Sequence, residues 1–476
     1  MSVAKIFRFV LLILVFSRVG ITQEITLSQS TVKNMALTRG LETELANNAN
    51  AESQLGIMQA KSIYDTLLKA NANYEQDRNQ KTTPLFGTNN KTTNFGAELQ
   101  QRTSLGTSLN LGFSNSREKT DSLFTTSPDL FSNQIYSSIR QPLAKNFLGY
   151  IDRQSIKLAN KQAASTGYAS QARIQGYVYQ CLVAYWQLYL AQNSYSLEKA
   201  AYKKAQDLYA VNKNKKNMGL IEEADLLNFA SNRDIRKSLM LEAQYNFIKA
   251  QETLAKELNI YPQLIKPSVQ TEAISSKKIQ SLDSLLSTAL EQRPDYLAQK
   301  NDVDSAAISL KMAKNKMWPE LDVLGSFNLN GVDSTYAQAT DHIGDYHPKW
   351  QVGMELSVPF QNRSSRSALK MSTLTKKDKI LNLKKVENEI INQIRTAHAN
   401  YKIQRQRISS LNSAVQNSKR RLDEETNRFN QGRSDSDAII KAETDYIETK
   451  KMLLQAQTSF RYAETDLLYA QGNILD

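Results

Sequence analysis

Few residues in this chain could carry chemistry. Its 476 residues include three histidines. His342 and His347 share a polar stretch with Asp341 and Asp345, the residue types of a metal site, but such groups in an exposed loop are ordinarily solvated and no metal is expected. His398 sits mid-helix with no acid at a useful spacing. Cys181 is the only cysteine, which excludes an internal disulfide. Flanked by Val178, Leu182 and Tyr185, it reads as a small buried hydrophobe. There is no catalytic constellation and no phosphate-binding glycine loop, so neither enzymatic activity nor a cofactor is expected. What remains is a set of acids that follow two glycines: Glu222, Glu223 and Asp225 after Gly219, and Asp435 and Asp437 after Gly432. Acids in a first helical turn complement the helix dipole. Repeated around a symmetry axis, they would instead form a ring able to close or filter a channel mouth.

Long helices place these acids. Ile394, Tyr401, Ile408, Val415, Leu422 and Phe429 recur every seven residues without a slip. So do Ile439, Tyr446, Leu453, Phe460 and Leu467, with Ala442, Ala456, Ala463 and Ala470 three places on. Ile174, Cys181, Leu188, Tyr195, Tyr202 and Tyr209 form a third row. A strict seven-residue repeat requires packing against partner helices with left-handed supercoiling. The spacing predicts a helix from about Tyr150 to a turn at Asn217-Met218-Gly219, then a helix to about Asn259. It predicts a second helix from about Arg363 to a turn at Asn430-Gln431-Gly432, then a helix to Ala470. Gly219 and Gly432 supply the positive φ that such reversals need.

Other stretches alternate with period two, as strands with one apolar and one wet face do. Phe95, Ala97, Leu99, Leu105, Leu109, Leu111 and Phe113 share one parity, and Glu98, Gln100, Ser108 and Asn110 the other. Trp350, Val352, Met354, Leu356 and Val358 alternate with Gln351, Gly353, Glu355 and Ser357. Leu321, Val323, Phe327 and Leu329 behave similarly, and Ile135 and Ile139 more weakly. The reading is four strands per chain, at 94–114, 133–141, 320–330 and 350–358. Such lengths suit a tilted bilayer crossing, and Phe95, Phe113, Trp318, Trp350 and Phe360 suit an interfacial girdle. Four strands cannot close a barrel, so their edges require other copies of the chain.

One plan is written twice. Residues 24–259 run helix (about Leu27 to Tyr74), two strands and helical hairpin; after a connector at 260–284, rich in Pro and Ser, residues 285–476 repeat that order. Pro142 and Pro359, just beyond strands, lie 217 residues apart, and Gly219 and Gly432 lie 213 apart, as a duplication would place them. Ahead of both repeats, residues 1–23 read as a cleaved signal peptide: Lys5 and Arg8, then an apolar run from Phe9 to Phe16 too short to span a bilayer. The formal charge of +13 falls to +10 when Lys5, Arg8 and Arg18 leave with it. The remaining basic residues are interspersed with acids and form no nucleic-acid motif, so nucleic acid is not an expected partner.

These landmarks resemble the TolC-type outer-membrane efflux protein family (outer membrane factors) over essentially the whole mature chain. Arg140-Gln141-Pro142-Leu143 and Leu356-Ser357-Val358-Pro359-Phe360 look like its strand-to-helix signature, and Ala289-Leu290-x-x-Arg293-Pro294-Asp295 like its helix start. Met218-Gly219-Leu220 with Asp225, and Gly432 with Ala442, look like its two hairpin tips. The resemblance implies an α+β membrane protein: a homotrimer whose three chains of four strands form one 12-stranded barrel in the outer membrane, joined to a helical coiled-coil barrel in the periplasm. It implies a passive exit duct of a tripartite efflux or type I secretion system in the Gram-negative outer membrane. The tips would face a periplasmic adaptor (membrane fusion protein) and an inner-membrane transporter. Ala438 and Lys441 stand where the family carries tip acids, so the mouth here would draw on Phe429 and Arg433 as well as Asp225, Glu222, Glu223, Asp435 and Asp437. The competing reading is a periplasmic coiled-coil structural or adaptor protein with a soluble β cap.

Overall fold

The computed structural model describes residues 25–80, 83, 85, 87–262, 265–267, 280–345 and 347–475. The expected signal peptide and most of the connector lie outside them. The chain forms two compact units. One comprises Met1–Asn48, Ala169–Asp295 and Glu387–Asp476, and the other Ala49–Tyr168 and Tyr296–Val386.

Strand β1 (Ile25–Leu27) precedes two helices, α1 (Gln29–Arg39) and α2 (Leu41–Lys61). The Ser28 hydroxyl caps α1 by accepting from the Thr31 amide at 3.1 Å. The long helices begin and end where the periodicity sets them. Helix α3 spans Tyr150–Asn217 and α8 spans Arg363–Asn430, each 68 residues or about 100 Å of helix. Their return arms are α4 (Glu223–Glu257) and α9 (Ser436–Gln471). Between the two hairpins come β6 (Ile265–Pro267), paired in parallel with β1, then α5 (Leu282–Gln292) and α6 (Pro294–Asn315).

The seven-residue rows are buried or half-buried throughout. Ile394, Phe460, Cys181 and Leu188 are fully buried, and the alanine row of α9 is buried at Ala442, Ala456, Ala463 and Ala470. Cys181 belongs to a core of Leu27, Val32, Val178, Leu182, Leu254 and Leu258. Burial pushes its thiol up to about 12, so it remains a neutral, inert thiol. No described helix is long and apolar enough to cross a membrane.

The second unit carries one antiparallel sheet of six strands in the order β2-β3-β4-β5-β7-β8: Leu67–Asp77, Asn90–Arg102, Ser108–Lys119, Asp129–Pro142, Glu320–Asp333 and Pro348–Ser357. This corrects the expected four in two places. The first helix ends at Lys61 rather than near Tyr74, and Leu67–Asp77 is a strand paired with Asn90–Arg102. The stretch 94–114 is two strands joined at 103–107. That turn is hard to see in the alternation because odd residues pair with odd across it, Leu99 with Leu111 and Gln101 with Leu109, so the apolar parity runs on unbroken. The proline expected beyond a strand at 142 is instead the last residue of β5, paired with Asp322. The second polar loop holds a short helix, α7 (Tyr336–Asp341). It lies so close to β7 that a Cβ on Gly331 would sit 2.1 Å from the Ala339 carbonyl oxygen.

Register aligns the apolar parity into rows across all six strands. One row is Leu68, Leu99, Leu111, Ser137, Phe327 and Trp350; another is Ala70, Ala97, Phe113, Ile135, Leu329 and Pro348. The opposite face carries Lys69, Asn71, Gln100, Asn110, Ser138, Ser326 and Gln351. On that face Arg140 ties three strands, donating to Asp322 at 2.7 Å and to Glu355 at 2.8 Å.

If the seven-residue rows hold the helical unit together, Ile408→Asp places an unpaired charge on a seam where Ile408 is 5% exposed. The expected cost is about 3 to 5 kcal/mol, read as loss of the folded, detergent-extracted protein on native gels. Full retention of the native species would show that the seam is not structural.

Candidate functional site at the hairpin tips

Both reversals end in the same backbone device. After α3, the Leu220 amide donates to the Lys215 carbonyl (2.9 Å) and Gly219 to Lys216 (2.8 Å); after α8, Arg433 donates to Arg428 (2.9 Å) and Gly432 to Phe429 (3.1 Å). This six-to-one and five-to-two pairing is a Schellman closure. Its left-handed residue is Gly219 (φ 73°) in one tip and Gly432 (φ 68°) in the other, a conformation that side chains with a Cβ resist.

The returning helices start differently. Asp435 is a true N-cap, accepting from the Ala438 amide at 2.8 Å. Glu222 occupies the equivalent position before α4 without a side-chain cap bond. Glu223 pairs with Lys216 across its own reversal. Asp225 and Asp437, from different hairpins, are brought to one place. The Ser436 hydroxyl donates to Asp225 at 2.7 Å, and the Asn228 amide donates to Asp437 at 2.9 Å and to Ser436 at 3.2 Å. Ser436 is buried and Asp437 exposed, so the clasp has a wet acidic side.

Phe429 is half-buried, its ring edge-on to Phe229 at 5.8 Å, with the Lys215 ammonium 5.2 Å from its centroid. It packs one hairpin tip onto the other. Arg433 is exposed and donates to Gln431 at 3.1 Å. Lys441, also exposed, and half-buried Ala438 follow on α9.

The motif residues at 293–295 form an anchor distant from the tips in sequence. Pro294 opens α6, where a missing N–H costs nothing. Arg293, 5% exposed, makes a two-pronged contact with Asp295 at 3.0 and 2.6 Å. It also donates to Gln393 at 2.7 Å and to the Ala470 carbonyl at 3.2 Å, satisfying the C-terminal end of α9. In the other unit Pro142 is the last residue of β5, and Pro359 lies just beyond the end of β8 at Ser357. Asn146 (φ 64°) and Asn362 (φ 44°) then make the left-handed step into α3 and α8, and Asn146 Oδ1 accepts from the Ile151 amide at 2.7 Å.

Sequence reasoning missed a buried charged cluster along the hairpins. Glu198, Arg236 and Glu443 are 3%, 4% and 2% exposed. Lys451 reaches Glu198 at 3.4 Å, Arg236 lies 4.0 Å from Glu198, and Lys204 lies 3.6 Å from Glu443. Arg236 also donates to Thr444 at 2.7 Å. Neither carboxylate oxygen of Glu443 has a hydrogen-bond partner among the described residues. The signal was available: Arg236 falls seven residues after Phe229 and seven before Ala243, on a buried row. Among the described residues no group of three or more His, Cys, Asp or Glu could hold a metal ion. His342 lies 3.7 Å from Asp333.

A sheet with an exposed apolar face, together with two long helical hairpins, defines the fold. The chain is similar over nearly its whole length to solved outer-membrane channels. CusC aligns with a TM-score of 0.73 at 15% identity, covering 96% of this chain and 95% of that one; its crystal structures describe folding and transmembrane channel formation. The CmeC outer membrane channel of Campylobacter jejuni aligns at 0.71 and 15%, covering 94% and 86%. The open-state MtrE outer membrane channel of Neisseria gonorrhoeae aligns at 0.70 and 16%, covering 97% and 94%. No curated protein matches the sequence. Residues 285–473 match the model of the family described as outer membrane efflux protein.

Burial lifts the Glu443 carboxyl above its ordinary value, against the opposing pull of Lys204 and Arg236. The folded chain therefore holds this proton more tightly than the unfolded chain does, so stability rises as pH falls through the window just above the ordinary glutamate value. Glu443→Gln should flatten the dependence of the melting temperature between pH 7.5 and 5. An unchanged slope would place the pH dependence elsewhere.

Proposed function

We propose that this protein is the passive exit duct of a tripartite efflux or type I secretion system. It assembles as a homotrimer in the Gram-negative outer membrane and reaches through the periplasm toward an adaptor and an inner-membrane transporter. The observation that carries the reading is the exposed apolar face of the sheet. Trp350, Val352, Met354 and Leu356 are 72%, 70%, 67% and 64% exposed. A soluble cap would turn such a row inward, because leaving it in water forfeits most of the hydrophobic stabilisation. Lipid accepts it. The opposite, polar face suits an aqueous lumen.

At the tips, three copies of the clasp would bring Asp225, Asp437 and their neighbours Glu222, Glu223 and Asp435 around one axis. Phe429 and Arg433 would pack and flank that ring. Gly219 and Gly432 shape the tips, and Pro142, Pro359, Arg293, Pro294 and Asp295 hold the strands and helices that carry them. In this reading residues 1–23 are removed on export, and the two repeats at 24–259 and 285–476 flank an equatorial connector at 260–284. The duct uses no cofactor, and energy comes from the transporter partner.

Topology provides the direct test. Thr126→Cys and Ser334→Cys place thiols in two of the loops at the end of the sheet expected to face outward, while native Cys181 is buried and silent. Both variants should react with an impermeant maleimide on whole cells. Labelling only after lysis would overturn the membrane assignment.

The mouth has its own test. The purified channel in a planar bilayer should be cation-selective and blocked by trivalent cations from the tip side. Asp225→Ala with Asp437→Ala should weaken both effects severalfold. Parental selectivity and block in the double variant would reduce these acids to helix caps.

A further inference from the structure

Each copy offers six strands to a barrel wall, and the two outermost have one bare edge each. Strand β2 pairs only with β3, and β8 only with β7. In hydrocarbon an unpaired backbone edge has no solvent to satisfy it, so both edges need partners. We propose that β2 of one copy pairs with β8 of the next, so that three copies close an 18-stranded barrel rather than a 12-stranded one. This rests on the trimeric duct reading above and sets the width of its membrane portion.

Three features of the sheet support it. First, all five neighbouring strand pairs are antiparallel. With six strands, β8 therefore runs opposite to β2, and a β8–β2 junction between copies continues the same antiparallel ladder, as barrels with even strand numbers do. Second, β2 carries the wall's chemistry. Leu68, Ala70, Ala72 and Tyr74 lie in register with Leu99, Ala97, Phe95 and Thr93 on the apolar side. Lys69, Asn71, Asn73 and Glu75 take the wet side. The edges also match in length, 11 residues in β2 and 10 in β8. Third, a 12-stranded wall would leave two of the six strands out, and one that keeps β5, β7 and β8 would need β4 as an edge. Freeing β4 would break its ladder with β3, which runs from Arg102–Ser108 to Lys91–Lys119, and would leave the apolar face of the β2–β3 hairpin outside the wall.

The consequence is a wide pore. With a strand spacing of about 4.8 Å and a tilt of about 40°, 18 strands give a backbone diameter of about 36 Å, against about 24 Å for 12. The cross-section enclosed by the backbone is about twofold larger. Strand β2 is thus part of the conduit, and the hairpin of β2 and β3 sets its gauge.

Cysteine pairs across the proposed junction test this in the full-length protein in native outer membranes. Double variants combining Ala70→Cys or Ala72→Cys with Val352→Cys or Met354→Cys scan the neighbouring registers. At least one pair should give covalent trimers on oxidation, whereas single variants give none. Cryo-electron microscopy of the unmodified protein in nanodiscs should count 18 strands. A trimer with 12 wall strands, or one that cross-links through Leu111→Cys with Val352→Cys and not through β2, overturns the inference and leaves the duct intact. A protein that does not fractionate with the outer membrane overturns the duct reading itself.

Discussion

A β-strand in hydrocarbon has no water to satisfy an open edge, and a sheet with an apolar face has nowhere to put it except against lipid or a partner. The sheet of this protein meets both conditions at once. Its apolar parity is aligned into rows by register and left exposed, and its outer strands β2 and β8 end in bare ladders. A soluble fold resolves such a surface by covering it with helices; here α7, of six residues, lies against β5 and β7, with Tyr336 beside Phe95 of β3. In the proposed duct, lipid and further copies of the chain complete that sheet.

The helical unit solves a different problem. A 68-residue helix has too little intrinsic stability to stand alone and depends on a continuous packed seam. The seven-residue rows provide that seam, and buried alanines on α9 let neighbouring helices approach closely. The arrangement also tolerates a cost. Glu198, Arg236 and Glu443 sit in the seam with incomplete hydrogen bonding, where well-packed apolar residues would often be as stable or more so. A charged cluster of this kind favours one register of the hairpins over its neighbours, because sliding a turn would separate every pair in it.

At the tips the two reversals are alike in backbone and different in chemistry. Both reversals close on a glycine with the same hydrogen-bond pattern, but one returning helix is capped by Asp435 and the other begins at an uncapped Glu222. The difference is what joins them. With Asp435 engaged as a cap, Ser436 turns inward to Asp225, and Asn228 closes the contact on Asp437. The acids of the two tips thus have distinct partners, and Asp225 and Asp437 tie one hairpin tip to the other.

The seven-residue rows, the two glycine reversals, the alternating strand faces and the single inert cysteine were all legible in the sequence, because each is a local pattern that backbone geometry reads directly. Only the tertiary structure decided what depends on a distant partner. Leu67–Asp77 contains alanine, lysine and leucine that suit a helix equally well, and it is a strand because Asn90–Arg102 pairs with it. The turn at 103–107 was hidden because pairing odd with odd residues leaves the alternation unbroken. Arg293 gained its role from Gln393 and the Ala470 carbonyl, 100 and 177 residues away, and Asp225 from Ser436 on the other hairpin. Periodicity reports which face of an element is apolar. Which element meets that face, and therefore which polar groups end up buried together, is settled only when the chain is packed.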